Sequence, residues 1–140
     1  MSEKVRGIIS VFRLSWFGFS IILEDLCFTV DRVIVVRTSR TYGKSGALAM
    51  YKASKKSDEL RGLSAEALLK TDVNNFVMLY SEIKKVELKK HLRGAKINLI
   101  TNEKKYGWFV RGIPGEKSAK IEDYERILQP VFLEKFSVSR

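Results

Sequence analysis

The residues best suited to chemistry are basic and lie close together near the middle of the chain. Six of them fall within thirteen positions: Lys84, Lys85, Lys89, Lys90, Arg93 and Lys96. His91 lies among them, and Glu82 and Glu87 are the nearest acids. Clustered Lys and Arg side chains can hold phosphate groups through charge-assisted hydrogen bonds. Near an anionic bilayer each would contribute on the order of 1 kcal/mol. The alternative is a solvated sheet edge that its lysines protect from aggregation.

Period-two alternation of apolar residues places this cluster on a β-hairpin. The alternating residues are Val86, Leu88, Ile97, Leu99, Tyr106, Trp108 and Val110. Turns at 91–94, where Gly94 can adopt positive φ, and at 101–104 separate the three runs. The pattern predicts a three-stranded antiparallel meander, joined by a fourth strand at 76–80, with the basic residues around its first turn.

Two short segments resemble nucleotide-binding or RNA-binding motifs, but each departs from its pattern. Residues 43–45, Gly-Lys-Ser, resemble the end of a phosphate-binding loop, yet Thr38 stands where the first glycine of that loop belongs. Residues 105–111 resemble an RNA-binding strand, yet Tyr106 occupies the position of its glycine. We therefore expect Trp108 to face the core and Phe109 to pack beneath a helix or loop.

The sequence offers no catalytic or metal-binding constellation. Glu24–Asp25 and Glu122–Asp123 are neighbours in sequence, and neighbouring side chains on a strand or helix diverge. A single His and a single Cys leave a transition-metal site without ligands. We expect no enzyme activity and no cofactor.

Composition predicts one globular domain spanning residues 1–140. The apolar fraction of 45% is ordinary for a folded protein, so disorder is not indicated. The net charge of +10 favours a polyanionic partner: anionic membrane, phosphorylated ligand or nucleic acid. Charge alone names no partner, and a solubilising surface is the alternative.

The aromatic stretch 14–23 is too short to cross a membrane. It follows Arg13 and falls well short of the roughly 20 residues that a spanning helix needs. It also lacks the cleavage site of a signal peptide. Packing in the core is the favoured interpretation, and an aromatic surface that dips into a bilayer interface is the alternative. Cys27, the lone cysteine, is expected to be a buried, inert thiol, and its isolation suits a reducing cytoplasm.

Two apolar runs, 26–30 and 32–38, predict a hairpin deep in a sheet covered on both faces. Residues 7–13 form either a first strand or an irregular lead-in. Residues 46–71 are a charged insert, and residues 52–59 within it are expected to be the most mobile part of the chain.

Short surface helices are predicted near 57–71, with Ser57 and Ser64 as their N-caps. A C-terminal helix is predicted near 118–129, with Ser118 as its N-cap and Pro130 kinking or ending it. Residues 1–6 and 137–140 are expected to fray.

Two segments resemble prokaryotic PH-like domains of the pleckstrin-homology and GRAM group. These are FTVDRVIVVRTS, similar to the opening hairpin of those domains, and YSEIKKVEL, similar to their step into a middle strand. The resemblance covers roughly residues 19–132. It implies a mainly β fold with some α: two antiparallel sheets packed as a partly open barrel, with the C-terminal helix plugging one end. Characterised relatives bind phosphoinositides, other anionic lipids or protein segments, and the resemblance transfers no binding residue to this chain.

Together these observations predict a non-catalytic binding module that attaches reversibly to anionic membrane lipid or a phosphorylated ligand through the basic hairpin. Such a protein would be cytoplasmic and peripheral to the membrane. The alternatives are a protein-interaction scaffold or homo-oligomer, and non-specific nucleic-acid binding.

Overall fold

A single open sheet of eight strands organises the part of the chain that the structure describes. The computed structural model describes residues 4–15, 20–42, 46–92 and 94–140. The strands are β1 (Gly7–Leu14), β2 (Ser20–Phe28), β3 (Arg32–Tyr42), β4 (Phe76–Leu79), β5 (Ile83–His91), β6 (Gly94–Thr101), β7 (Lys105–Gly112) and β8 (Phe136–Ser139). The helices are α1 (Gly46–Leu60), α2 (Ala65–Leu69) and α3 (Ile121–Phe132). The prediction of a mainly β fold is therefore confirmed.

The strands lie in the order β4-β3-β2-β1-β7-β6-β5-β8. All neighbours pair antiparallel except β5 and β8. The predicted meander β5-β6-β7 is confirmed, but the fourth strand, β4, pairs with β3 instead of joining it. The expectation of two separate sheets is wrong, because β1 pairs with both β2 and β7 and so joins the two halves.

The sheet curls around its own core. The rings of Phe76 on β4 and Tyr106 on β7 have centroids 5.8 Å apart. Four strand spacings would separate these strands by roughly 19 Å in a flat sheet. Right-handed twist and coiling therefore bring the distant strands together. Helix α3 lies against the concave side, where it buries Tyr124, Leu128 and Phe132.

Helices α1 and α2 cover the convex side of β1, β2 and β3. Leu60 and Leu68 pack there against Cys27 and Ile34. The hairpin β2-β3 is thus buried on both faces, as its continuous apolar runs predict. Residues 52–59 belong to the fifteen-residue helix α1, and their expected mobility stays a prediction.

Two of the three predicted helix caps are wrong. Ser57 lies inside α1, where its buried hydroxyl donates to the Ala53 carbonyl at 2.9 Å. Ser64 does cap α2, accepting from the Ala67 amide at 3.2 Å. Helix α3 begins after Lys120 instead of after Ser118, because the Asp123 carboxylate accepts a 2.7 Å hydrogen bond from the Lys120 amide.

Described residues near both ends of the chain pair with the sheet. Helix α3 continues two residues beyond Pro130. Strand β8 then pairs in parallel with β5, which places Phe136 beside Val86 in the core. Near the other end, the Arg6 amide donates to the Phe28 carbonyl at 2.7 Å. Within the described ranges, no helix combines the length and apolar character needed to cross a bilayer.

Candidate anion-binding surface

The convex side of β5, β6 and β7 carries half of the predicted basic cluster. Because Val86, Leu88 and Ile97 point into the core, alternation directs their strand neighbours to the opposite side. We call this surface the basic face, and it comprises Lys85, Glu87 and Lys89 of β5, Lys96 and Asn98 of β6, and Lys105, Gly107 and Phe109 of β7. Helices α1 and α2 cover the other half of the convex side.

Lys89 and Lys96 face each other directly across β5 and β6. Side chains in such positions have Cβ atoms about 5 Å apart, and like charges there are destabilising. Lys89 is exposed and Lys96 is half-buried. The register therefore places two lysines side by side on this surface, with Lys89 Nζ 3.9 Å from Glu87 and Lys96 Nζ over the Phe109 ring.

Glu87 supplies the single carboxylate of the basic face. Its oxygens lie 3.4 Å from Lys85 Nζ and 3.9 Å from Lys89 Nζ. Burial acts to raise its pKa, but Lys89, Lys85 and the Asn98 amide together lower that pKa below its ordinary value. Glu87 therefore stays ionised and holds the two flanking lysines at the surface.

Gly107 of β7 stands opposite Asn98 of β6, which in turn faces Glu87 of β5. A Cβ atom at Gly107 would lie 3.0 Å from Asn98 Oδ1 and 3.4 Å from Lys96 Cε. Asn98 is 1% exposed, and its Oδ1 has no hydrogen-bond partner among the described residues. The missing side chain at position 107 leaves room for the Asn98 amide and the Lys96 stem.

An aromatic pair closes one side of the basic face. The Phe109 ring stacks on Phe12 of β1 with centroids 5.3 Å apart, and His91 meets its edge at 5.0 Å. Lys96 Nζ lies 5.5 Å from the Phe109 centroid, within cation–π range. Trp108 faces the core as predicted, whereas Phe109 packs across the strands among basic side chains.

The structure separates the six predicted binding residues. Lys85, Lys89 and Lys96 share the basic face, while Lys90 pairs with buried Ala95 and so belongs to the opposite row. Lys84 lies at the register shift between Ile83 and Lys85, and Arg93 lies outside the described residues. Among the lysines of α1, Lys56 donates to the Arg37 carbonyl of β3 at 2.8 Å.

Sequence reasoning missed one member of the basic face, Lys105. Alternation along β7 predicts that Tyr106 and Trp108 point inward. The same alternation directs Lys105, Gly107 and Phe109 outward. Alternation alone therefore predicts the face on which Lys105 lies, but not its neighbours. The register places Lys105 opposite Ile100 of β6, and Ile100 lies opposite Lys85 of β5.

A second polar feature, also missed from the sequence, is a cleft of about 450 Å³ between α1 and the segment after β7. Ser10, Ser57 and Arg111 line it. Asp25 is fully buried beside these residues, with Oδ1 3.6 Å from Arg111 Nη2. Burial raises the pKa of Asp25 against the lowering influence of the Ser57 and Ser10 hydroxyls and of Arg111.

Glu24 and Asp25 diverge to opposite sides of β2, as neighbouring strand residues should. Glu24 lies on the concave side and accepts hydrogen bonds from Arg13 Nε at 2.8 Å and Trp108 Nε1 at 2.9 Å. The two carboxylates therefore do not form a catalytic pair. Cys27 is buried as predicted, and burial raises the pKa of its thiol well above the ordinary value.

No grouping of His, Cys, Asp and Glu in the described ranges has the geometry of a metal site. No protein-family model matches this chain, and no curated protein or solved structure shows significant similarity to it. The basic face must therefore be interpreted from its own chemistry.

Proposed function

We propose that this chain is a non-catalytic binding module of PH-like type, which attaches reversibly to an anionic membrane surface or a phosphorylated ligand through the basic face. The curled antiparallel sheet and the helix α3 on its concave side support the PH-like part of the proposal. The net charge of +10 supports the anionic nature of the partner.

The observation that carries the proposal is the opposed pair Lys89 and Lys96 on the side of the sheet away from the core. A sheet selected for stability alone would place an acid opposite a lysine, since such pairs contribute roughly 0.2–1 kcal/mol. Here the nearest acid, Glu87, already contacts Lys85 and Lys89. Lys96 instead lies over the Phe109 ring, and the sequence contains no acid between positions 88 and 102.

The expected affinity is modest and salt-dependent. Each lysine near an anionic leaflet contributes on the order of 1 kcal/mol, so the four lysines of the basic face support reversible attachment. These charges are exposed or half-buried, and the Debye length of about 10 Å at 0.1 M salt screens them beyond short range. Attachment should therefore weaken steeply as salt rises.

Vesicle sedimentation with matched charge variants tests the proposal. One variant carries Lys85→Gln, Lys89→Gln and Lys96→Gln; the control carries Lys52→Gln, Lys55→Gln and Lys70→Gln, three exposed lysines outside the basic face. Both lose the same three charges. We expect wild type and control to bind phosphatidylserine vesicles at low salt and the basic-face variant to bind at least tenfold more weakly.

Two results would overturn this proposal. Equal losses for both triple variants would show that net charge, and not the basic face, drives binding. Absence of binding to anionic vesicles and to soluble inositol phosphates at low salt would remove the anionic partner altogether. Gel-shift with single-stranded DNA, run on the same variants, measures the competing nucleic-acid function, for which Phe109 would offer a stacking surface.

A further inference from the structure

The tip of the basic hairpin exposes an apolar side chain completely. Leu92 occupies the turn between the paired residues His91 and Gly94, and it is 99% exposed. Single exposed apolar residues are common on protein surfaces. Leu92 is distinguished by its position, because it projects from the end of the strands that carry Lys89 and Lys96.

Turn chemistry gives no reason for a leucine here. Two-residue hairpin loops favour Asn, Asp and Gly, whose backbones adopt the required conformations. The φ of 144° falls on Gly94, which leaves Leu92 without a special backbone role. Complete exposure also means that Leu92 contributes no burial to folding. Folding therefore does not explain the presence of an apolar side chain at this position.

The charges around the tip are all of one sign. Lys89, Lys90 and Lys96 flank Leu92, and no acid occurs between Glu87 and Glu103. Val73 provides the contrast: it is equally exposed at 99%, but it follows Asp72 in a turn outside the sheet. Of these two fully exposed aliphatic residues, Leu92 is the one flanked by lysines.

The spacing along the hairpin suits a bilayer interface. Lys89 lies three residues before Leu92, roughly 10 Å back along the strand. Interfacial apolar groups enter about 5–10 Å below the headgroup level. With Leu92 at that depth, the long lysine side chains can extend to the phosphate plane while their methylene stems lie along the apolar boundary. A soluble phosphorylated ligand would offer Leu92 no such apolar environment.

We propose that the β5-β6 hairpin docks on an anionic bilayer with Leu92 inserted into the headgroup–acyl boundary and Lys89, Lys90 and Lys96 on the lipid phosphates. This inference rests on the proposed function and narrows its partner from any anion to a lipid surface. Two contributions then add: an electrostatic one that salt screens, and an apolar one that salt leaves intact.

Leu92→Ser tests the apolar contribution, and Val73→Ser is its matched control. Partition coefficients are measured on phosphatidylcholine vesicles containing phosphatidylserine, at low and at high salt. We expect Leu92→Ser to lower partitioning about tenfold at both salt concentrations, as expected for withdrawing much of a leucine side chain from an apolar environment. Val73→Ser should match wild type. Circular dichroism confirms that each variant is folded.

A fluorescence readout reports insertion directly. An environment-sensitive dye is attached through Leu92→Cys in a Cys27→Ala background, and separately through Val73→Cys. On anionic vesicles, emission from the position 92 dye should shift to the blue and be quenched by bromine-labelled acyl chains. Emission from the position 73 dye should remain unchanged.

The outcomes separate this inference from the proposed function. If wild type binds anionic vesicles, Leu92→Ser binds equally well and the dye at position 92 stays in water, then insertion is wrong and electrostatic attachment stands. If soluble inositol phosphates bind the chain with an affinity that Leu92→Ser leaves unchanged, and vesicles compete no better, the partner is a free phosphorylated ligand. If wild type binds neither, the proposed function itself fails.

Discussion

Lys89 and Lys96 occupy directly opposed positions on β5 and β6, on the same exposed side of the sheet. The row continues through Phe109 to Phe12, so two cations and two stacked aromatic rings form one line across four strands. The pair therefore links the stability of the hairpin to the proposed binding of an anionic partner.

Replacing one lysine of this pair should have opposite effects on stability and on binding. Lys96→Gln removes the cross-strand repulsion, so the free energy of unfolding at low salt should rise by a few tenths of a kcal/mol to about 1 kcal/mol. The same substitution should weaken binding to anionic vesicles. Urea denaturation and vesicle sedimentation measure the two effects. A loss of stability that high salt does not change would instead indicate that the Lys96 contact with Phe109 dominates.

Glu24 should be important for stability because it is a buried carboxylate with two side-chain donors. Its side chain is 1% exposed, and it accepts from Trp108 Nε1 and Arg13 Nε. Glu24→Ala leaves the buried indole N–H without an acceptor and creates a cavity, at an expected cost of about 3 kcal/mol. Urea denaturation measures this cost. Glu59→Ala, at an exposed position on α1, serves as the control and should change stability little.

Removing Arg111 should destabilise the fold in a pH-dependent manner. Arg111→Met leaves Asp25 buried without its counterion, at an expected cost of about 3 kcal/mol near neutral pH. Burial already raises the pKa of Asp25, and loss of Arg111 should raise it further. Because the folded chain then binds a proton more readily than the unfolded chain, stability should recover as pH falls through the raised pKa toward the ordinary value of 3.8.

Asp25→Asn tests this explanation. Since burial disfavours the charged form of Asp25, the neutral amide should cost less at neutral pH than Arg111→Met. Chemical denaturation of wild type and both variants across acidic to neutral pH gives the comparison. If Arg111→Met lost the same stability at every pH, the cause would be lost packing of the long side chain and not the charge of Asp25.

Replacing Leu133 by glycine should raise the stability of the fold. Its φ of 51° and ψ of −120° at the end of α3 are strained for a residue with a Cβ atom, and its side chain is 58% exposed. Leu133→Gly should therefore stabilise the fold by about 0.5–1 kcal/mol, after the entropy that glycine adds to the unfolded chain is subtracted. Thermal denaturation measures the change. Leu133→Ala is the control, and it should retain the strain and show no gain.

The sequence was most informative where a single local pattern was enough to predict a strand. Period-two alternation predicted β5, β6 and β7 and the inward row that includes Trp108. It was least informative about helix starts. Ser57 and Ser118 are residue types that often act as N-caps. Ser57 nevertheless lies inside α1, because Ala53 and Leu60 on either side of it pack against the sheet. Helix α3 begins after Lys120 and not after Ser118, because the Asp123 carboxylate accepts from the Lys120 amide.

Strand β8 lies where composition predicts a frayed segment. A polar four-residue terminus is usually expected to fray. Its alternation of Phe136 and Val138 is too short to be decisive by itself. Pairing with β5 supplies the hydrogen bonds that make Phe136–Ser139 a strand.

By itself, the sequence determined the basic cluster, its position around a hairpin turn and the apolar row beneath it, because these follow from local spacing. Only the tertiary structure decided which basic residues lie together on one face. Cross-strand register set Lys96 opposite Lys89, placed Lys105 on the same face and moved Lys90 to the other row. Register depends on contacts between residues far apart in the chain, and a shift of one position would send every side chain of a strand to the opposite face.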